Sequence, residues 1–181
     1  MDGFSLVDLL LSLSIGALLS GTLFQSLIGD LQSGQRLTRL LRERQFQQRT
    51  LRLIASDVTR ADAISPDPQH EQHACSLAGR LPVLHLSTSA GPITYSVGDA
   101  PSPIWRGQVL MRCGPAYSLR GELSAGAAQN RVLLDGLASE GLSVEAEAPG
   151  VVRLLLRQAF RQRDGTNLPL TQRLSAATAS S

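Results

Sequence analysis

The sequence predicts an α+β fold: one long N-terminal α-helix packed on an antiparallel β-sheet domain. Three features predict it. Residues 9–29 of the 181-residue chain carry no charge and are mostly apolar. Residues 31–63 contain no proline and set Leu37, Leu41, Leu51, Ile54, Val58 and Ala61 at largely helical spacing. From Leu81 onward, short apolar runs alternate with Gly and Pro turn signals.

The first element is bounded by Asp8 and Asp30. As a helix the uncharged run would measure about 32 Å, against roughly 30 Å of bilayer hydrocarbon, so residues 4–30 are expected to be a transmembrane half-helix. A secretory signal peptide fits poorly, because no basic residue precedes the run and the run exceeds the usual ~7–15 apolar residues. Ser12, Ser14, Gly16, Ser20, Gly21 and Thr22 are small, and Gly16 with Ser20 has the spacing that lets helices approach closely. An acid at a membrane centre costs about 2.5–3.5 kcal/mol, less near the interface or beside an amine, so Asp8 is a functional candidate. The plainer alternative is a snorkelling side chain without a partner.

Residues 31–64 are expected to continue the helix as an amphipathic half, giving one element of about sixty residues, roughly 90 Å long. Arg36, Arg39, Arg42, Arg44, Arg49, Arg52 and Arg60 alternate with apolar residues against Glu43 and Asp57, the pattern of a solvated face. Anionic lipid or nucleic acid is the rival use of such a run, and by the positive-inside rule it argues for the reverse orientation. "ISPDP", Ile64 to Pro68, then stops the helix.

The sheet domain is assigned to residues 65–165. "LPVLHLS", "ITYSV" and "IWRGQVLMRC" read as strands. Leu142, Val144, Ala146 and Ala148 alternate with Ser143, Glu145 and Glu147, and after Pro149-Gly150 the alternation resumes through Val152, Leu154 and Leu156. That is a hairpin with one buried face, its outward glutamates opposing outward arginines. Residues 166–181 are expected to be partly disordered, since "SAATASS" offers little to bury.

Cys75 and Cys113 are the only cysteines. In an exported domain they read as one disulfide, the alternative being two buried thiols. "HEQHAC" matches no strong zinc spacing, and a polar loop is the better account. "DGTN", Asp164 to Asn167, starts like a calcium loop and stops, so it reads as a turn. His85 alternates with apolar neighbours and reads as an outward or satisfied strand residue. No nucleophile elbow, zincin or P-loop motif is present, so no enzyme, metal or cofactor is expected. A net charge of +2 and 4% aromatic residues give no case for nucleic acid.

"G-FSLVD-LLLSLSIGALLSG", Gly3 to Gly21, resembles the leader of type IV prepilins and type II secretion pseudopilins: a short leader ending in Gly, then Phe, three small or apolar residues, an acid, and an apolar run. The resemblance implies a pilin-like fold and a structural subunit. Residues 1–3 would be the leader, cut between Gly3 and Phe4. Phe4 would become the N-methylated terminus, and Asp8, at the fifth mature position, would neutralise the terminal amine of a neighbour or its own. Asp8 stands where the family has Glu, one methylene longer, and the leader lacks Lys or Arg; an upstream start or an unusually short leader would explain the latter.

"TLRLIASDVTRADAI", "ITYSVGDAPSPIWR" and "RVLLDGLASEGLSVEAE" are similar to segments of J-type minor pseudopilins and PilW-like minor pilins, which implies a minor subunit, in the tip or initiation complex. The implied partners are a prepilin peptidase, other pilins or pseudopilins, an inner-membrane assembly platform, and membrane lipid before assembly. The implied location is the inner membrane, crossed once with the N-terminus in the cytoplasm, then a surface pilus or periplasmic pseudopilus. The motif sets that orientation against the arginine run. A bitopic membrane protein with an exported binding domain, and a membrane-tethered DNA-binding component of an uptake system, stay open as alternatives.

Overall fold

The computed structural model describes residues 6–124, 126–161 and 166–179, the side chains of 8, 26–33, 36, 160 and 161 excepted. The chain divides into two units, Met1–Glu43 and Arg44–Ser181. A single α-helix, α1, runs over Leu6–Thr59. Strands follow at Ala63–Ser65 (β1), Leu81–Ser87 (β2), Ile93–Asp99 (β3), Gln108–Gly114 (β4), Gln129–Ala148 (β5), Val151–Arg161 (β6) and Asn167–Ala177 (β7).

In the second unit all seven strands join one antiparallel sheet in chain order, a meander. Period-two alternation fixes its faces. Leu84 and Leu86 of β2, Ile93 and Tyr95 of β3, Leu110 of β4, and Leu154 and Leu156 of β6 are all fully buried on the inner face. Leu51, Ile54 and Val58, one stripe of α1, complete this core. The hairpin turns at Pro149-Gly150 as expected, but a bulge between Ala146 and Ala148 shifts its register, and Ala146 and Ala148 are exposed rather than buried. Ala148 pairs with Val151 around two residues, Gly150 taking φ 74° after a proline. Glu145 faces Arg153 across it, 3.6 Å from carboxylate to guanidinium. Strand β5 is long because it is bulged: Leu137 pairs with Gln158 but Leu142 with Leu156, and Glu140, inside the bulge, has φ 57°.

Several expectations are corrected. The fold is mainly β, a seven-stranded antiparallel sheet, rather than α+β with a membrane-crossing half. Among the described residues no helix is long and apolar enough to cross a membrane. Ser12, Ser14, Gly16, Ser20, Gly21 and Thr22 dilute the hydropathy of the run. This overturns the transmembrane segment at 4–30 and, with it, the single-pass inner-membrane location.

The helix ends at Thr59, not at the proline run. Arg60 N–H and Ala61 N–H bond the Asp57 and Val58 carbonyls, a tightened last turn, and Asp62 N–H already reaches the Ser87 carbonyl at 2.8 Å. Ile104–Gly107 is a turn rather than the start of β4. The expected disordered tail is strand β7 as far as Ala177, because Leu170 and Ala176 both find burial there.

Ile54, fully buried on the inner stripe of α1, gives a direct measure of how much the helix contributes to this core. Ile54→Ala is expected to cost about 2–5 kcal/mol, read as a lower midpoint in urea unfolding with an unchanged slope.

Candidate functional site

In the first unit, every described large apolar side chain of α1 between Leu6 and Phe24 is 50–76% exposed. The hydroxyls between them are turned inward onto the backbone: Ser12 donates to the Leu9 carbonyl at 3.0 Å, Ser14 to Leu11 at 2.8 Å and Thr22 to Leu19 at 2.9 Å. Ser12, Ser14 and Thr22 thus spend their hydroxyls on the backbone, and the large apolar side chains around them face outward. One side carries a shallow open groove lined by Leu9, Ser12, Leu13, Gly16, Ala17 and Ser20. A Cβ built on Gly16 or Gly21 meets nothing within 4 Å, so another helix can approach closely there.

Gly3 and Phe4 lie outside the described residues. Asp8 is placed on α1 by its backbone, and its side chain lies outside the described set.

The second unit holds a buried carboxylate that the sequence reading took for a plain counter-charge. Asp57, fully buried near the C-terminal end of α1, accepts from four donors. Tyr95 Oη of β3 lies 2.5 Å away, Arg112 Nε of β4 at 2.7 Å and Arg112 Nη2 at 3.4 Å, and Tyr117 Oη of the following loop completes the set. Arg112 Nη1 donates onward to the Pro115 carbonyl at 2.8 Å, and its guanidinium lies over the Tyr117 ring. An anion at a helix C-terminus is disfavoured by the helix dipole, and the Arg112 fork compensates for it. Burial, then the Asp57 carboxylate, pushes Tyr117 up to about 12 and Tyr95 well above the ordinary tyrosine range. The sequence carried a signal for this set: Asp57 follows Ile54 by three on the apolar stripe, and Tyr95 and Arg112 sit at core-facing strand positions, directly paired.

On the outer face, Cys75 and Cys113 are joined by a disulfide, Cα to Cα 5.9 Å, which pins the segment between β1 and β2 onto β4. Beside it Thr94 Oγ1 meets Nδ1 of His85 at 2.9 Å and of His73 at 3.2 Å. His85 is therefore a satisfied strand residue; burial lowers its basicity, Glu71 partly restoring it and His73 lowering it further. No cluster of three metal-ligating side chains exists among the described residues.

Compared with known proteins, the chain matches no family model, no curated protein and no solved structure.

Two outcomes follow for the buried set. Asp57→Asn leaves Arg112 buried without a counter-charge and is expected to cost about 3–5 kcal/mol in denaturant unfolding. A tyrosine whose folded value is about 12, against about 10 unfolded, holds its proton more tightly in the fold. The stability it confers is complete below about pH 10 and is lost as pH rises through about 12; Tyr117→Phe is expected to flatten that alkaline decline in melting temperature.

Proposed function

We propose that this chain is a minor pilin or pseudopilin, a structural subunit and not a catalyst, that assembles through its N-terminal helix into a type IV pilus or a type II secretion pseudopilus. The observation that carries the reading is the uncovered apolar surface of α1 over Leu6–Phe24, directly behind the G-F-x-x-x-D sequence at Gly3–Asp8. Fully burying one leucine is worth about 1.5–3 kcal/mol, so covering this surface with like helices supplies a large driving force for assembly. Gly16 and Ser20 permit the close approach, and Asp8 is the one acid placed to meet the new amine of Phe4 in a neighbouring subunit. The second unit, closed by its own core and disulfide, is the part each subunit would present outward.

Processing is the decisive test. Protein recovered from cells with an active prepilin peptidase is expected to begin at Phe4 and to carry one added methyl group by intact mass; cells lacking the peptidase are expected to retain Gly3. An intact N-terminus in both removes the reading. Asp8→Ala is expected to abolish incorporation into fibres while leaving the melting temperature of the sheet unit unchanged, because the substitution lies outside that unit.

A further inference from the structure

Strand β7, Asn167–Ala177, is the last strand of the sheet, so one of its two edges has no neighbouring strand. The register decides which backbone groups line that edge. Thr178 N–H donates to the Gly150 carbonyl at 2.9 Å, and the pairing with β6 runs unbroken from Val151–Ala177 to Arg161–Asn167. In an antiparallel pair, residues alternate between bonding the neighbour and pointing away from it. The even-numbered residues of β7 therefore bond β6, and Thr171, Arg173, Ser175 and Ala177 direct N–H and C=O outward. Two further features agree. Pro169, which has no N–H, falls in the outward row, where proline removes no ladder bond. Ala179 N–H, next in the same row, donates away from β6 to the Thr59 carbonyl at 3.1 Å. Among the described residues no hydrogen bond reaches the outward groups from Thr171 to Ala177, and these four residues are exposed.

Sheets blunt their edges with short strands or bulges. The opposite edge, β1, has three residues. Strand β7 uses neither device: from Thr171 to Ala177, about 20 Å, it is regular strand. Its side chains define what fits beside it. On the outer face the acids of β5 are taken by β6, Glu145 and Glu147 by Arg153 and Glu140 by Arg157. Arg173, opposite Leu155 on that face, has no ion pair among the described residues. On the inner face Leu174, opposite Leu154, is only half-buried against the core. A second copy of β7 fits badly. The antiparallel register that uses all four outward residues sets Arg173 opposite Ser175 of the copy, which makes the two Arg173 side chains diagonal neighbours on one face with no acid between them. A strand carrying an acid there would instead repeat the Glu145–Arg153 pairing at the edge of the sheet.

We propose that the outward edge of β7 receives an extended segment of a partner protein as a further antiparallel strand, with an acidic residue facing Arg173 on the outer face and apolar residues beside Leu174 on the inner face. Main-chain bonds to Thr171, Arg173, Ser175 and Ala177 supply the affinity, and the alternation of acid and apolar residues sets register and choice of partner. This edge lies within the second unit and does not depend on how the N-terminal helix is used.

The full chain, in mild detergent, is followed by amide hydrogen exchange read residue by residue in NMR spectra. Without peptide, the amides of Thr171, Arg173, Ser175 and Ala177 are expected to exchange at least about a hundredfold faster than those of Gln172, Leu174 and Ala176. A capped peptide, Ser-Val-Thr-Val-Glu-Val-Thr, sets its glutamate opposite Arg173 and is expected to slow those four amides saturably. Methylating the glutamyl nitrogen, which faces β7, is expected to weaken binding at least about thirtyfold, whereas methylating the two flanking valyl nitrogens, which face away, changes it less than about threefold. These peptides leave the protein itself untouched. Arg173→Glu is expected to weaken the glutamate peptide at least about tenfold and to favour the peptide with lysine in its place. Slow exchange of the four amides without peptide overturns the open edge. Protection that grows with protein concentration alone overturns the partner in favour of a second copy. No saturable protection, or an equal loss from both methylation patterns, overturns strand addition, and unchanged binding of the glutamate peptide by Arg173→Glu overturns its acidic character.

Discussion

The sheet unit depends on one carboxylate. Asp57 sits fully buried on the inner face of α1, and the four donors that surround it come from β3, β4 and the loop after β4. Hydrophobic burial of Leu51, Ile54 and Val58 holds the helix against the sheet but is not directional. The Asp57 contacts are directional. They fix the rotation of the helix about its axis and its position along the sheet at once, because a slip would strand Arg112, Tyr95 and Tyr117 as unpaired buried groups.

The two faces of the sheet solve different problems. The inner face is mostly apolar, with that clamp, Thr50 and the Gln47 and Gln158 amides as buried polar groups. The outer face around β2–β4 sets His85, Thr94 and Ser96 among buried Val109, Met111 and Cys113, and the segment carrying Cys75 and His73 lies on it. A loop of 38 residues' separation closed by the disulfide removes enough unfolded-state freedom to contribute about 4 kcal/mol on the entropic model, a substantial share of the stability of a domain this size.

Much of this was legible in the residues. The β5–β6 hairpin was, from the alternation on both sides of Pro149-Gly150, although the bulge between Ala146 and Ala148 that sets its register was not. So were β2, β3 and the pairing of the only two cysteines. The inner stripe of α1 was legible from the spacing of Leu51, Ile54 and Val58. What failed has physical causes. Strand β7 carries Pro169 and small residues and looks like a tail until β6 offers it a partner, from Val151–Ala177 to Arg161–Asn167. The membrane-crossing expectation weighed the absence of charge more heavily than the many small and hydroxyl residues within the run. The Asp57 clamp was missed because an acid amid arginines looks like surface charge balance, whereas its place on the apolar stripe mattered more.

The meander has a consequence for the order in which the molecule can be completed. Each of its hairpins pairs neighbours in the chain, so the sheet can extend strand by strand as residues become available. The helix cannot be finished that way. Gln47 donates to the carbonyl of Leu170, 123 residues later, and the Thr59 carbonyl accepts from Ala179 N–H at 3.1 Å. Helix α1 is therefore locked in place only when β7 and the residues up to Ala179 have joined the sheet, long after β2, β3 and β4 could have paired.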